Sequence, residues 1–181
     1  CYRNKAQYPV SFDRQLKIGF FAPRSHRVVD CENCILQPPI FADIVKIFRK
    51  FIIKNGITVY DSEKHTGLLR HIYLRLAEAT GEVMVCAVIN GEDLPHKNEL
   101  IEKLTEIPSV KSIVLNINRD RTNVILGKEC VTVWGNDCIY DVLCGVKVRL
   151  SPLSFYQVNH DMAQQLYEKA AEYACLSGKE T

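Results

Sequence analysis

Hydrophobic and polar positions divide the first half of the chain into paired strands, a helix and a buried strand. Residues 2–11 and 16–21 alternate between apolar and polar and are joined by a short connection, which predicts a hairpin. Apolar residues recur at helical spacing over 40–52 and predict an amphipathic helix. The continuous apolar run over 83–89 predicts a central strand with both faces buried.

The second half continues with strands and helices. A predicted helix over 96–107 lies between strands at 83–89 and 110–118, so at least one strand pair is expected to be parallel. Two or three short strands follow over 124–150. Asn159 is expected to cap a final helix over 159–175, whose inward side carries Met162, Ala163, Leu166, Ala170 and Tyr173. The predicted fold class is α/β in the mixed α+β sense, a mixed and largely antiparallel sheet packed with two to three helices.

Length and composition are those of a soluble globular protein of one domain or two small ones. The chain has 181 residues, of which 47% are hydrophobic and 24% charged. Its formal net charge of +2 permits a nucleic-acid partner without demanding one. No apolar run approaches the roughly 20 residues needed to cross a bilayer, so no membrane contact is expected. The eight cysteines form no compact framework, which favours free thiols in a cytoplasmic protein.

Two predicted strands carry polar side chains in a row on one face. Arg3 and Lys5 share a face of the first strand and are candidate phosphate contacts, although a solvated strand face has the same pattern. His71, Tyr73 and Arg75 share a face of a predicted strand over 68–76. That row either contacts nucleic acid or lies on a solvent-facing sheet surface.

The loop over 116–123 concentrates polar side chains in a second candidate surface. Arg119 and Arg121 suit phosphate groups, and the amides of Asn116 and Asn118 suit base edges. A solvated loop has the same composition, so the pattern alone leaves both interpretations open.

Cys31 and Cys34 form a CxxC pair. Two thiolates at this spacing can share one metal ion or act as a redox dithiol. A structural zinc site needs four ligands, and no second CxxC or HxxxH pattern occurs in the sequence. A redox motif of the thioredoxin type would open a helix after a strand, whereas Pro38 and Pro39 delay the next helix. Inert thiols fit the spacing equally well.

Residues 151–159, SPLSFYQVN, join a predicted strand to the last helix. Phe155 and Tyr156 stand beside Gln157, and aromatic faces next to an amide suit the holding of a planar ring. The sequence contains no glycine-rich phosphate loop, no GxSxG and no HExxH. The residues alone therefore indicate a mixed α/β domain with an RNA-facing surface and no complete active site.

These segments resemble the TrmA/RumA-like RNA (uracil-5-)-methyltransferase family, and most closely its branch that modifies uridines in large-subunit ribosomal RNA. The resemblance runs nearly end to end through blocks that keep their order: YRNKAQYPV at 2–10, the cysteine loop ending at Cys34, GLLRHIYLR at 67–75, NINRDRTNVILG at 116–127 and SPLSFYQVN at 151–159.

The resemblance implies that the chain is a fragment of a longer enzyme. Residues 1–150 correspond to the family's central domain, and 151–181 to the truncated start of its S-adenosylmethionine-dependent methyltransferase domain. The family's glycine-rich cofactor turn, catalytic cysteine and acidic base lie further along. No catalytic residue is therefore assigned in this chain, and the fragment itself is expected to be inactive.

The resemblance also gives roles to three residues. Cys34 matches a ligand of the family's iron–sulfur cluster, whose other ligands would precede this chain, so the cluster is expected to be absent here and Cys31 to be an incidental neighbour. Phe155 matches the aromatic residue placed against the flipped-out target base. Gln157 matches the glutamine that contacts the base and the cofactor region.

The leading hypothesis is a fragment of an enzyme that forms 5-methyluridine in RNA. Large-subunit ribosomal RNA is the expected partner, with neither DNA nor a membrane involved. The alternatives are a non-catalytic RNA-binding module and a metal or redox protein that uses Cys31 and Cys34.

Overall fold

A seven-stranded sheet carries two helices on one face and a hairpin on the other in the computed structural model, which describes residues 1–175. The strands of the sheet are β1 (Lys5–Asp13), β2 (Gln15–Phe21), β3 (Val28–Asp30), β4 (Leu69–Leu76), β5 (Val83–Ile89), β6 (Val110–Ile117) and β7 (Glu129–Gly135). The hairpin consists of β8 (Ile139–Leu143) and β9 (Val146–Leu150). The helices are α1 (Pro39–Asn55), α2 (Lys97–Thr105) and α3 (His160–Ala174).

The sheet is mixed and mostly antiparallel, as its sequence predicts. Its strand order is β3-β2-β1-β4-β5-β6-β7. β1 and β2 pair antiparallel, which confirms the predicted hairpin. β5 and β6 pair parallel with α2 as their crossover, which confirms the predicted parallel pair.

The main core lies between the sheet and the helices α1 and α2. Apolar side chains recur along α1 at helical spacing, and Phe41, Ile44 and Phe48 are each at most 1% exposed. Gly56 ends α1 in the left-handed conformation, at a φ of 61°. Every residue of β5 is buried. The predictions of an amphipathic first helix and of a doubly buried central strand are confirmed.

The opposite face of β4 is buried, contrary to both interpretations of its polar row. Tyr73 and Arg75 are each 1% exposed, and the ring nitrogens of His71 are buried as well. Apolar side chains of the 118–127 loop pack beside Tyr73, and the segment after β9 lies against Arg75. The predicted solvent-facing or nucleic-acid-binding row was wrong because these later parts of the chain fold over it.

The last helix packs through its first turn. Asn159 accepts a hydrogen bond from the Met162 N–H at 3.2 Å, so the predicted N-cap is confirmed. Ala163 is buried as expected, but Met162, Leu166 and Tyr173 are 56%, 61% and 75% exposed, and Ala170 is exposed too. Within residues 1–175 no element packs against that apolar side, and the expected inward face was therefore wrong.

Residues 176–181 of the predicted second domain lie outside the described part of the chain. No helix among residues 1–175 has the length and apolar character required to cross a membrane.

Candidate nucleic-acid interface

The segment 151–158 connects β9 to α3 and presents two predicted site residues to solvent. Ser151 and Ser154 close its first turn, since the Ser154 N–H donates to the Ser151 carbonyl at 3.2 Å. Phe155 is 83% exposed and Gln157 is also exposed, while Tyr156 between them is buried. The exposed aromatic face and amide are thus neighbours, as the sequence predicts.

Buried polar groups bind this segment. Arg75 donates from Nη2 to the Ser154 carbonyl at 2.7 Å. The Tyr156 hydroxyl donates to Asp141 Oδ2 at 2.9 Å. Burial raises the pKa of Tyr156, and Asp141 raises it further, so the phenol stays neutral and remains a donor. Asn4 donates from Nδ2 to the carbonyl of Gln157 at 3.0 Å.

The sequence pattern did not identify Asn4 or Asp141, and it predicted Arg75 on the surface. The signal that could have identified such residues is a polar residue in the middle of a mostly apolar strand, such as Asp141 within Ile139–Leu143. Such a residue is either surface-exposed or a buried hydrogen-bonding group, and the pattern does not decide between them.

Arg3 and Lys5 line an open cavity of about 350 Å³ at the same end of the sheet. Its further lining residues are Ala6, Gln7, Phe20, Cys34, Leu36 and Gln37. Burial lowers the pKa of Lys5, and the charges of Arg75 and Arg3 lower it further. This clustering of cations makes the cavity positively charged. Asn4 lies between Arg3 and Lys5 in sequence and binds the Gln157 carbonyl, which attaches segment 151–158 to the part of the chain that lines the cavity.

Cys34 lies in that cavity wall with Cys31 beside it. Burial raises the pKa of Cys31, and the neighbouring Cys34 raises it further, so this thiol is protonated and poorly nucleophilic near neutral pH. Across residues 1–175 no group of three or more His, Cys, Asp or Glu side chains is arranged to hold a metal ion. An iron–sulfur cluster needs about four thiolates, so this chain's described residues do not by themselves fit one.

Arg119 and Arg121 lie at the opposite end of the sheet from Phe155. They follow the last residue of β6, whereas Arg75, which binds the 151–158 segment, pairs with the start of β5. Arg119 approaches Glu92 at 3.3 Å, and Arg121 donates to the Glu63 carbonyl at 2.8 Å. Both remain exposed cations, but the structure does not bring them together with Phe155 and Gln157.

The amides of the same loop are structural. Asn116 is 0% and Asn118 2% exposed, and each bonds to backbone groups of the following loop. Asn116 accepts from the Gly127 N–H at 2.7 Å. The idea that these amides read base edges was therefore wrong, and so was the solvated-loop alternative for these two residues.

Three groups with complementary chemistry lie at the end of the sheet that holds Phe155. An exposed aromatic ring can stack on a base, an exposed amide can hydrogen-bond to its edge, and a cationic cavity can hold a phosphate. Such a combination suits an unstacked nucleotide of RNA.

Relatives of the chain are RNA methyltransferases by name. No protein-family model matches the sequence. It is 45% identical over 181 residues to an uncharacterized RNA methyltransferase of Clostridium tetani, covering 99% of this chain and 39% of that protein. It is 44% identical to another of Caldanaerobacter subterraneus subsp. tengcongensis, covering 99% and 40%.

A solved structure has the same fold over this segment. It is the Pyrococcus abyssi tRNA (uracil-54, C5)-methyltransferase in complex with S-adenosyl-L-homocysteine, with a TM-score of 0.79 at 27% identity. The match covers 94% of this chain and 40% of that protein. The chain thus spans about 40% of the length of the relatives that it matches. Over that segment, these relatives and the solved structure agree with the resemblance of the sequence blocks to the TrmA/RumA-like RNA methyltransferase family.

Proposed function

We propose that the chain is part of an S-adenosylmethionine-dependent enzyme that forms 5-methyluridine in large-subunit ribosomal RNA. The observation that carries the proposal is the exposed pair Phe155 and Gln157, held beside the cationic cavity of Arg3 and Lys5. The names of the relatives and the uracil-C5 activity of the solved neighbour support the reaction class. The choice of ribosomal over transfer RNA rests on the sequence resemblance.

Phe155 and Gln157 act on the target base. The ring carbon to be methylated is shielded in a stacked base, so the uridine has to be flipped out. Stacking on the exposed ring of Phe155 would stabilise the extruded base by about 1–3 kcal/mol. Gln157 presents its amide to the base edge and toward the methyl donor, while Arg3 and Lys5 bind flanking phosphates.

The chemistry needs groups beyond these. A cysteine thiolate adds to the uracil ring, the adjacent carbon takes the methyl group, and loss of that carbon's proton expels the thiolate. S-adenosylmethionine supplies the methyl group. None of the eight cysteines is assigned as the nucleophile. We place residues 1–150 in the central domain and 151–181 at the start of the methyltransferase domain, in a cytoplasmic protein, and we expect no methyl transfer by the 181 residues alone.

An RNA-binding comparison tests the role of Phe155. Two RNA hairpins of ribosomal sequence carry either an unpaired uridine or an abasic nucleotide at the same position. The chain is expected to prefer the uridine hairpin by about 5- to 150-fold, and Phe155→Ala to abolish that preference. Phe12→Ala is the matched control, because Phe12 is 67% exposed at the far end of β1. A preference that survives Phe155→Ala would remove Phe155 from the site.

Catalysis is tested with labelled S-adenosylmethionine and ribosomal RNA. We expect no incorporation with the 181-residue chain, and incorporation that depends on Phe155 in a longer protein that contains it. Incorporation by the chain alone would contradict the assignment of the catalytic groups to sequence outside it.

Binding without catalysis is the second candidate, favoured by the cationic side chains of Arg3 and Lys5 that line the cavity. It predicts uridine-dependent RNA binding by the chain and no methyl-group incorporation into RNA by any longer protein.

A metal or redox role can be tested because Cys31 and Cys34 lie in contact. Stoichiometric iron or zinc in the purified chain, lost on Cys31→Ser, would support that role.

A further inference from the structure

Segment 151–158 lacks the regular hydrogen bonds of a helix or strand, yet its anchors alternate with its exposed side chains. The carbonyl of Ser154, just before Phe155, is held by Arg75. The Tyr156 side chain, between Phe155 and Gln157, is held by Asp141. Each projecting residue thus has a fixed neighbour on both sides, because the carbonyl of Val158, just after Gln157, accepts from the Asn4 N–H.

Asp141 links three parts of the fold. It is 0% exposed and accepts hydrogen bonds from the backbone N–H groups of Glu78 at 3.1 Å, Ala79 at 2.8 Å and Val142 at 2.9 Å. Its fourth partner is the Tyr156 hydroxyl. The carboxylate therefore ties the β4–β5 turn and the β8–β9 hairpin to segment 151–158. Charge-assisted hydrogen bonds of this kind are stronger than neutral ones.

Asn4 and Arg75 fix the two ends of the exposed stretch. Each is 1% exposed. Asn4 uses both its side chain and its backbone, since its own N–H donates to the Val158 carbonyl at 2.9 Å. Arg75 donates from a single amino group to the Ser154 carbonyl and to the Tyr73 hydroxyl. These bonds attach the segment to β1 and β4, the central strands beside the cationic cavity.

We propose that Asn4, Arg75 and Asp141 are positioning residues for the RNA base, which they serve by fixing the backbone around Phe155 and Gln157. The inference rests on the proposed function, in which Phe155 and Gln157 contact the target uridine. Without these anchors the two side chains would move independently. A base stacked on the ring would then lose its alignment with the amide.

Local proteolysis tests whether the anchors hold the segment. Chymotrypsin cleaves after exposed phenylalanine only where the backbone can open, so cleavage after residue 155 reports the opening of segment 151–158. Tyr156→Phe removes the bond to Asp141 and keeps the buried ring. We expect it to raise this cleavage rate about tenfold. Tyr173→Phe, in a residue 75% exposed on α3, is the matched control. Equal rates in both variants would overturn the inference.

Base discrimination tests whether the anchoring serves RNA. The ratio of dissociation constants for the abasic and the uridine hairpin is measured for the wild-type chain and both variants. We expect Tyr156→Phe to reduce the ratio to near one without changing the affinity for the abasic hairpin. A purely structural role would weaken both affinities by the same factor and leave the ratio unchanged, which would overturn the inference.

The two readouts separate this inference from the proposed function. A wild-type ratio near one would contradict the proposed base contact of Phe155, and the cleavage rates would still decide whether the anchors fix the segment. Asp141→Asn gives a second variant at the other end of the same hydrogen bond. Its cleavage rate is expected to rise as in Tyr156→Phe, and a wild-type rate would count against the anchor.

Discussion

Arg70 fixes the backbone of the 118–122 loop from inside the protein. It is 4% exposed and donates to the carbonyls of Asn118 at 2.7 Å, Asp120 at 2.8 Å and Thr122 at 3.1 Å. Its guanidinium also lies over the Tyr60 ring, 4.2 Å from the centroid. A planar group with several donors can bind three carbonyls at once, which an ammonium group cannot do in the same geometry.

Arg70→Lys is therefore expected to destabilise the chain despite its unchanged charge. Loss of two of the three carbonyl contacts should lower the free energy of unfolding by about 2–3 kcal/mol. Arg121→Lys is the control, since Arg121 is exposed and makes one backbone contact. Urea unfolding of both variants measures the difference. Equal losses of unfolding free energy in the two variants would show that the buried Arg70 guanidinium contributes no more to stability than an exposed one.

His71 couples stability to pH. Burial lowers the pKa of His71 to about 4, with a further contribution from Arg70, and neither ring nitrogen has a hydrogen-bond partner among the described residues. In the unfolded chain the same imidazole has an ordinary pKa of about 6.5. As pH falls through this window, the unfolded state binds a proton that the folded state refuses. Stability is therefore lost between about pH 6.5 and pH 4, and is unaffected by this group above that range.

Replacing the imidazole should remove this loss. Between pH 7 and pH 4 the wild-type chain is expected to lose about 3 kcal/mol more than His71→Leu does. His96→Asn controls for the removal of an exposed histidine. Urea unfolding at several pH values supplies the measurement, and parallel pH profiles for wild type and His71→Leu would contradict the pKa shift.

At the scale of elements, α3 differs from the other helices because its apolar side is uncovered. Leu166 is 61% exposed, whereas Leu74 on β4 is 0% exposed in the main core. The same substitution at these two positions should therefore have very different consequences. We expect Leu74→Ala to lower the free energy of unfolding by about 2–5 kcal/mol, and Leu166→Ala to change it by less than about 0.5 kcal/mol.

Urea unfolding of this matched pair is the measurement. A loss above about 1 kcal/mol for Leu166→Ala would mean that α3 buries its apolar side against something within the same chain. Wild-type stability for Leu74→Ala would contradict the position of β4 at the centre of the sheet.

Elements with a self-contained pattern could be predicted from sequence. The helix α1 has one apolar side and a glycine at its end, and β5 is apolar throughout. Each pattern is therefore compatible with only one type of element and one burial of its side chains. The row of His71, Tyr73 and Arg75 on β4 is compatible with either an exposed or a covered face. The segments that cover it come more than 40 residues later in the sequence. The prediction that the apolar side of α3 is buried was wrong for a different reason. Periodicity indicates which side of a helix would be buried, but it does not show whether another element packs against that side.

The candidate site divides in the same way. Phe155 and Gln157 were identified from their residue types and from the family resemblance, and the structure places both in solvent. Asn4 and Asp141 were missed because their roles depend on contacts with residues 153 and 15 positions away, respectively. Local sequence patterns contain no information about contacts at such separations.

At the scale of the whole molecule, the candidate RNA-binding cations form two groups at opposite ends of the sheet. Arg3 and Lys5 lie at the end where Arg75 pairs with Met84, and Arg119 and Arg121 follow the other end of β6. At about 3.3 Å per residue the groups are about 20 Å apart along the strands. An RNA hairpin that contacts both would have to lie along the sheet.

Salt dependence can decide whether RNA contacts both groups. Each phosphate contact to single-stranded RNA contributes about 0.7 to the slope of log affinity against log salt concentration. If both groups bind phosphate, Arg3→Gln with Lys5→Gln and Arg119→Gln with Arg121→Gln should each reduce the slope by about 1.4. Lys46→Gln with Lys50→Gln is the control, because these exposed lysines lie on α1, across the sheet from Phe155.

The two double variants have distinct consequences for the arrangement of RNA. A smaller slope in the Arg3 and Lys5 variant alone would confine RNA to the end that holds Phe155. Arg119 and Arg121 would then have only structural roles, in the ion pair of Arg119 with Glu92 and the hydrogen bond of Arg121 to the Glu63 carbonyl. If the α1 control lowers the slope as much as either test pair, binding depends on net charge and both candidate groups lose their assignment. We expect the control to leave the slope unchanged, because the sheet separates α1 from the exposed ring of Phe155 and the amide of Gln157.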